Sequence, residues 1–136
     1  MNDVNTIIIG AGRVGNTLAL AMGKKHSVLV IDKDKRKIER LTDFSGFVEV
    51  GDATDVNFLI QNGANEAENI LIVTDDDNIN IFLADVFVYL FNRKHVLIRL
   101  KDSRKANLVD PIVKCICPFD LSLSDFLNQM EEGGNH

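Results

Sequence analysis

The chain has 136 residues, 46% of them hydrophobic and 26% charged, and its formal net charge is −5 at pH 7. This composition is typical of one soluble globular domain. The acidic balance provides no basic surface for nucleic acid or anionic lipid, so we expect no nucleic-acid partner. The apolar runs are well below the ~20 residues needed to cross a bilayer, and no stretch resembles a signal peptide. We therefore expect no direct membrane insertion and a cytoplasmic location.

Short β-branched runs alternate with segments of helical period along the whole chain. Strands are predicted within residues 6–12, 27–32, 46–55, 69–75, 95–102 and 112–118. Helices are predicted within residues 15–25, 33–43, 56–64, 77–94, 103–111 and 119–130. This alternation predicts an α/β fold with a Rossmann-like, doubly wound parallel six-stranded sheet and helices on both faces. Residues 1–136 are expected to form a single domain whose end, about 129–136, is a frayed tail.

The first predicted strand runs into GAGRVG, three glycines with the spacing of a loop that holds a nucleotide diphosphate. Gly10 would permit the tight turn, Gly12 would let the backbone approach the phosphates, and Gly15 would let helix and strand pack closely. The free N–H groups at the start of the next helix would bind phosphate oxygens. Arg13 would add charge-assisted hydrogen bonds to the same oxygens.

Asp32 ends the second predicted strand at the ~20-residue offset expected of a carboxylate that binds ribose hydroxyls. It would repel a 2′-phosphate and so disfavours NADP, although Lys33, Lys35 and Arg36 weaken that exclusion. AMP, ADP and ATP have the same ribose diol as NAD. Asp32 therefore leaves the choice between NAD(H) and an adenine mononucleotide open.

Two further polar segments follow predicted strands at the same edge of the sheet. In GDATD, Asp52 would accept a hydrogen bond from the exocyclic amine of adenine, whereas Thr54 or Asp55 would cap the next helix. The carboxylates of TDDDN, residues 74–78, would stabilise a helix N-terminus. Alternatively, three carboxylates near a diphosphate would require a bridging divalent cation.

The sequence contains no constellation typical of catalysis. His26 and His95 are predicted at strand entrances, opposite the ligand edge, and His136 lies in the tail. No nucleophile lies beside a plausible base, so we expect a binding module without catalytic residues rather than an enzyme. Cys115 and Cys117 are interpreted as small buried apolar residues.

The predicted helix 77–94 is apolar on more than one side. The face expected to cover the sheet contains Ile79, Phe82, Leu83, Val86, Phe87 and Leu90. Elsewhere around the helix lie Ile81, Val88, Tyr89 and Phe91. A helix that is apolar nearly all round usually buries a second face, which favours either a subunit interface or burial under neighbouring loops.

With GAGRVG, Asp32, GDATD, VTDDDNIN and IRLKD in this order, the chain resembles the N-terminal domain of regulators of potassium conductance (RCK). That family includes the Trk and Ktr potassium-uptake subunits. The resemblance extends from Ile7 to about Leu127. Its more specific parts are GDAT, Asn80 and Arg99, because the glycine motif is shared with many Rossmann proteins.

The resemblance implies a cytosolic nucleotide sensor that forms a homodimer or larger homo-oligomer and regulates a membrane potassium channel or transporter. Its ligand would be NAD(H), or AMP, ADP or ATP. The residues that the resemblance places near the ligand are Gly10, Ala11, Gly12, Arg13, Val14, Gly15, Asp32, Lys33, Asp52, Ala53, Thr74 and Arg99.

Family members usually continue through a crossover helix into a smaller C-terminal lobe, which this sequence lacks. We therefore expect either a fragment or a stand-alone domain. The competing interpretations are a fragment of an NAD-dependent oxidoreductase and a regulatory domain fused to a phosphoesterase or an antiporter.

Overall fold

A computed structural model describes residues 4–134 of the chain. The strands are β1 (Thr6–Ile9), β2 (Val28–Asp32), β3 (Phe47–Val50), β4 (Asn69–Ile72), β5 (His95–Arg99) and β6 (Lys114–Ile116). The helices are α1 (Arg13–Met22), α2 (Lys35–Glu39), α3 (Val56–Gln61), α4 (Asp77–Asp85) and α5 (Pro118–Gly134). A π-helical segment, Val86–Leu90, continues α4, and a 3₁₀ helix, Ser103–Leu108, lies between β5 and β6.

All strand pairs are parallel, and the strand order is β3-β2-β1-β4-β5-β6. This confirms the predicted Rossmann-like sheet. Strands β2 and β3 lie in turn on one side of β1, whereas β4, β5 and β6 lie on its other side. Such a reversal leaves a crevice at the carboxyl ends of the two central strands, where ligands bind in this class of fold.

The core lies on both faces of the sheet because β1 and β2 are apolar on both sides. Ile7 and Ile9 pack with buried side chains from α3 and α4, including Leu59 and Leu83. Ile8 packs on the opposite face, in a cluster that contains Ala19 of α1 and Ile38 of α2. Burial on both faces explains why these strands are continuous apolar runs.

The face of α4 differs in part from the prediction. Phe82 and Leu90, which were expected to cover the sheet, are 49% and 57% exposed, whereas Phe91 is buried. The π-helical segment explains the change at Leu90 and Phe91. The Phe91 N–H donates to the carbonyl of Val86, five residues back, at 3.1 Å. This wider turn rotates Phe91 inward, where its ring meets that of Phe87 edge-on at 5.4 Å between centroids.

Within the expected tail, about 129–136, α5 continues as far as Gly134, and the fraying of these residues stays a prediction. Glu131 and Glu132 are good helix formers, so they extend the helix that begins at Pro118. Residues 135–136 lie outside the described part of the chain. No helix within residues 4–134 has both the length and the apolar character needed to span a membrane.

The cysteines are less buried than expected. Cys115 and Cys117 are both half-buried and neither forms a disulfide. They lie in or directly after β6, the outermost strand, which has a neighbouring strand on one side alone. Burial raises the pKa of the Cys115 thiol.

Candidate nucleotide site

A cavity of about 390 Å³ opens at the carboxyl edge of the sheet. Its walls come from the ends of β1 to β5 and from the segments that follow them. Most of the predicted site residues line it, namely Gly10, Gly12, Arg13, Val14, Asp32, Lys33, Asp52, Ala53, Thr74 and Arg99. The structure thus brings together residues that are up to 89 positions apart in the sequence.

The three glycines play different structural roles. Gly10 has a φ of +110°, which side chains other than glycine's rarely allow, and a Cβ there would lie 2.9 Å from the backbone of Val73 and Thr74. A Cβ on Gly15 would lie 1.8 Å from the Gly10 carbonyl oxygen, so α1 packs directly on the turn. A Cβ on Gly12 would meet nothing within 4 Å. Gly12 therefore keeps the cavity open rather than holding the fold together.

Asp32 ties the glycine loop to the end of β2. One of its carboxylate oxygens accepts a hydrogen bond from the Ala11 N–H at 2.8 Å, and the other accepts from the Asp34 N–H at 2.8 Å. Ala11 itself is buried behind the loop rather than in the cavity wall. A carboxylate oxygen has two lone pairs, so Asp32 retains capacity for ribose hydroxyls.

Asp52 lies at the other end of the cavity, in the turn after β3. Its Oδ1 accepts hydrogen bonds from the Thr54 hydroxyl at 2.7 Å and the Thr54 N–H at 2.9 Å. These two bonds, with a smaller contribution from Lys33, hold the pKa of Asp52 below its ordinary value. The cap of α3 is Asp55, whose carboxylate accepts from the Asn57 and Phe58 N–H groups. Thr54 therefore supports Asp52 instead of capping the helix.

The three carboxylates after β4 separate, which corrects the expectation that all three lie near a diphosphate. Asp75 and Asp76 line the cavity, and Asp76 caps α4 by accepting from the Asn78 and Ile79 N–H groups. Asp77 is buried away from the cavity wall. It accepts hydrogen bonds from the N–H groups of Lys101 at 2.8 Å and Asp102 at 3.0 Å. Across residues 4–134, no three His, Cys, Asp or Glu side chains are grouped as metal ligands.

Asn80 joins the ends of β4 and β5 beneath the cavity. Its side chain is fully buried, and its Oδ1 accepts from the Thr74 hydroxyl at 2.5 Å. Its amide nitrogen donates to the carbonyl oxygens of Thr74 at 3.1 Å and Arg99 at 2.8 Å. Every polar atom of this buried amide is thereby engaged, and the backbone at Thr74 and Arg99 is held in place.

Several residues in the cavity wall were not predicted: Lys37, Gly51, Ile79 and Leu83. Ile79 and Leu83 are spaced i, i+4 on the inner face of α4, so their pattern indicates a buried helix face and does not by itself indicate a ligand site. Lys37 lies on α2, five residues beyond Asp32. The short loop between β2 and α2 brings it back over the cavity.

The histidines lie where the sequence predicts. His95 is the first residue of β5, His26 precedes β2, and both are exposed at the amino edge of the sheet. The cavity is at the opposite edge. His136 is outside the described residues.

Solved structures show the same fold. The GsuK channel bound to NAD matches 95% of this chain with 23% of its own length, at a TM-score of 0.80 and 24% identity. The NAD(P)-binding domain of an exopolyphosphatase-related protein from Archaeoglobus fulgidus matches 95% of this chain with 98% of its own length (TM-score 0.78, 21% identity). An AMP-bound Kef C-terminal domain from Shewanella denitrificans gives a TM-score of 0.71 at 20% identity, over 95% of this chain and 81% of that chain.

Comparison with sequence relatives identifies the family of this chain. A Trk system potassium uptake protein TrkA from Streptomyces coelicolor is 36% identical over 107 residues, which are 77% of this chain and 48% of the relative. A TrkA homolog from Archaeoglobus fulgidus is 31% identical over 126 residues, 87% of this chain and 28% of the relative. The chain thus spans less than half the length of either relative. The model of the TrkA-N domain matches residues 6–113, so the chain belongs to the TrkA-N domain family.

Proposed function

We propose that this chain is a cytosolic nucleotide-sensing regulatory domain, which binds NAD(H) or an adenine nucleotide and thereby gates a potassium channel or transporter in the membrane. The observation that carries this proposal is the cavity itself. A glycine turn, a helix N-terminus and Arg13 converge on its centre, as a diphosphate requires, while Asp32 lies one strand away, as a ribose requires.

Each end of the cavity has chemistry that suits part of such a ligand. The hydrogen bonds from Thr54 hold the pKa of Asp52 below its ordinary value. Asp52 lies in the turn after β3, where it would accept a hydrogen bond from the adenine amine. Gly10, Gly12, Val14 and the main chain near Ala11 would surround the phosphates. Lys33 and Ala53 would contact the nucleoside, with Thr74 and Arg99 at the far side.

The nucleotide would regulate the domain by binding one of two conformational states more tightly than the other. A ligand shifts a two-state equilibrium by the difference between its binding free energies to the two states, about 1–3 kcal/mol for a typical coupled site. Asn80 links the cavity wall at Thr74 to the end of β5, and Asp77 links α4 to the segment after β5. These hydrogen bonds connect the cavity wall to the inner side of α4, the helix whose outer surface is exposed.

That outer surface supports a homodimer or larger homo-oligomer. Phe82, Tyr89 and Leu90 remain 49%, 65% and 57% exposed in the single chain, so neighbouring loops do not cover them. Large exposed apolar side chains grouped on one surface are typical of interaction sites. The membrane partner is proposed from the potassium-uptake relatives, and the domain would lie at the inner face of the membrane through that partner.

A related role is supported by the exopolyphosphatase-related neighbour, whose whole chain matches this one. There, the same nucleotide-binding unit would regulate a phosphoesterase. Both roles need a ligand in the cavity and no catalysis by this domain. The sequence of the gene product would distinguish regulation of a potassium channel or transporter from regulation of a phosphoesterase.

A thermal-shift series with NAD⁺, NADH, NADPH, AMP, ADP and ATP tests the proposal. A ligand at ~100 times its dissociation constant stabilises the native state by about 2.7 kcal/mol, which is several degrees for a domain of this size. We expect such a shift with at least one of these ligands and a weaker one with NADPH. No shift with any of them would contradict the proposed function.

A further inference from the structure

Strand β3, Phe47–Val50, forms one edge of the sheet, and within the described part of the chain it has a neighbouring strand on one side alone. Main-chain N–H groups along a strand point alternately to its two sides. The Gly51 N–H donates to the Asp32 carbonyl of β2 at 3.1 Å. The N–H and C=O groups of Val48 and Val50 therefore point away from β2, to the open side, where another strand can pair with them.

The side chains of β3 leave this edge apolar. Open edges are usually protected by lysine, proline or a bulge, and the sequence of β3, FVEV, contains neither lysine nor proline. Phe47, Val48 and Val50 are 59%, 43% and 46% exposed. An open edge with exposed apolar side chains is typical of a strand that pairs with another chain.

The two faces of β3 differ in chemistry. Val48 is in register with Val30 of β2, so it lies on the face of the sheet on which α2 packs. Val50 lies on the same face, because side chains alternate along a strand. Phe47 and Glu49 point to the opposite face, on which α3 packs. An added strand would therefore meet two valines on one face, and an aromatic ring and a carboxylate on the other.

The charge around β3 indicates what such a strand contains. Residues 44–92 include nine Asp and Glu residues and no Lys, Arg or His. Glu49 lies on the strand itself, and Asp52 and Asp55 are exposed shortly after it. Opposite charges across a strand pair attract and like charges repel, and a cation also binds the face of a phenylalanine ring. A second copy of β3 is a poor occupant, because it would bring the same acidic segment.

From these observations we infer that β3 is a docking edge for an extended segment of a partner protein in which lysine or arginine alternates with apolar residues. The apolar side chains would pack on Val48 and Val50, and the cationic side chains would lie over Phe47 and beside Glu49. Main-chain hydrogen bonds at the open edge would supply affinity, and the alternation would supply specificity. None of the four β3 residues lines the cavity, so the inference does not depend on the proposed function.

Fluorescence anisotropy with the full chain tests the inference. The probe is a labelled peptide of about eight residues in which valine alternates with lysine. One control peptide has glutamate in place of each lysine, and a second has the same composition with all lysines grouped at one end. We expect the alternating valine–lysine peptide to bind, the glutamate peptide not to bind, and the grouped peptide to bind at least fivefold more weakly.

Variants of the chain separate the contribution of charge from that of the main chain. Glu49→Lys should weaken binding of the valine–lysine peptide at least tenfold, because like charges would then face each other. Glu66→Lys, the same charge change at an exposed carboxylate before β4, should alter binding less than twofold. Val48→Pro removes an N–H on the open side and no bond to β2, so it should weaken binding at least fivefold and leave the urea midpoint close to that of wild type.

Hydrogen exchange in wild type tests the same edge without any substitution. When the valine–lysine peptide is added, the amides of Val48 and Val50 should exchange more slowly, whereas those of Phe47 and Glu49, which face β2, should change little. Equal binding of the lysine and glutamate peptides, equal losses in Glu49→Lys and Glu66→Lys, or unchanged exchange at Val48 and Val50 would overturn the inference. Protection of these two amides that rises with protein concentration without peptide would assign the edge to a second copy and overturn it as well.

Discussion

At Gly12, a substitution is expected to affect ligand binding without affecting the stability of the fold. It is the N-cap of α1, its φ of −79° is open to any residue, and no side chain caps the helix. Aspartate is among the preferred N-cap residues, and a Cβ at this position would meet nothing within 4 Å. The same carboxylate would project into the cavity where a diphosphate would lie.

We therefore predict that Gly12→Asp abolishes nucleotide binding without loss of stability. Urea unfolding of the free variant should give a free energy within about 0.5 kcal/mol of wild type or above it, because the new cap offsets other effects. The nucleotide-dependent thermal shift should disappear, because two anions would occupy the same space. Thr17→Asp, an equal charge change on the exposed side of α1, is the control and should keep the shift. Retained binding in Gly12→Asp would contradict the proposed phosphate position.

At the scale of the element, α4 and its π-helical continuation have two separate surfaces. Leu83, Phe87 and Phe91 are buried against the sheet, whereas Phe82 and Leu90 face outward. The Tyr89 hydroxyl donates to the Asp110 carboxylate at 2.8 Å, which joins this outer surface to the segment before β6. One helix thus covers the cavity from inside and presents an apolar surface outside.

We predict that the double substitution Phe82→Ser and Leu90→Ser converts an oligomer into a monomer. Both side chains are about half exposed in the single chain, so their replacement removes little of the core while it removes the apolar contact surface. Sedimentation velocity over a range of concentrations measures the change. Val48→Ser, on the exposed edge strand β3, is the control and should leave the assembly intact. Wild type that stays monomeric at high concentration would contradict the prediction.

At the scale of the whole molecule, the sheet places the cavity at one edge and the side chains of His26 and His95 at the other. His95 begins β5 and Arg99 ends it, which places the histidine backbone about 13 Å from the cavity edge. Cys115, the thiol on the neighbouring strand, has a pKa raised by burial, which lowers its reactivity.

We predict that this chain binds NADH without oxidising it. The absorbance of NADH at its nicotinamide band should stay constant over hours with the chain present, with or without small 2-hydroxy or 2-keto acids. A dehydrogenase assayed in parallel controls for the cofactor and the detection. Steady loss of the signal in proportion to the amount of the chain would favour the oxidoreductase interpretation.

Much of the fold follows from local pattern. Apolar runs that end in glycine, alternating with helical segments, predict parallel strands, and right-handed crossovers then restrict the strand order. The glycine spacing and the offset to Asp32 likewise identify the cavity, because both depend on short-range geometry within one strand–helix–strand unit. The resemblance to potassium-conductance regulators adds Asn80 and Arg99, which no local pattern singles out.

The tertiary structure decided what each polar or apolar side chain contacts. Asp75, Asp76 and Asp77 are adjacent in sequence, yet one is buried against the loop after β5 and two line the cavity, because the chain turns from β4 into α4 at these residues. The π-helical turn likewise turned Phe91 inward and Leu90 outward. The order of strands and helices and the glycine loop follow from the sequence, because local periodicity and glycine spacing specify them. The link that Asn80 makes between the ends of β4 and β5 emerged from packing, because it joins groups that lie on separate strands.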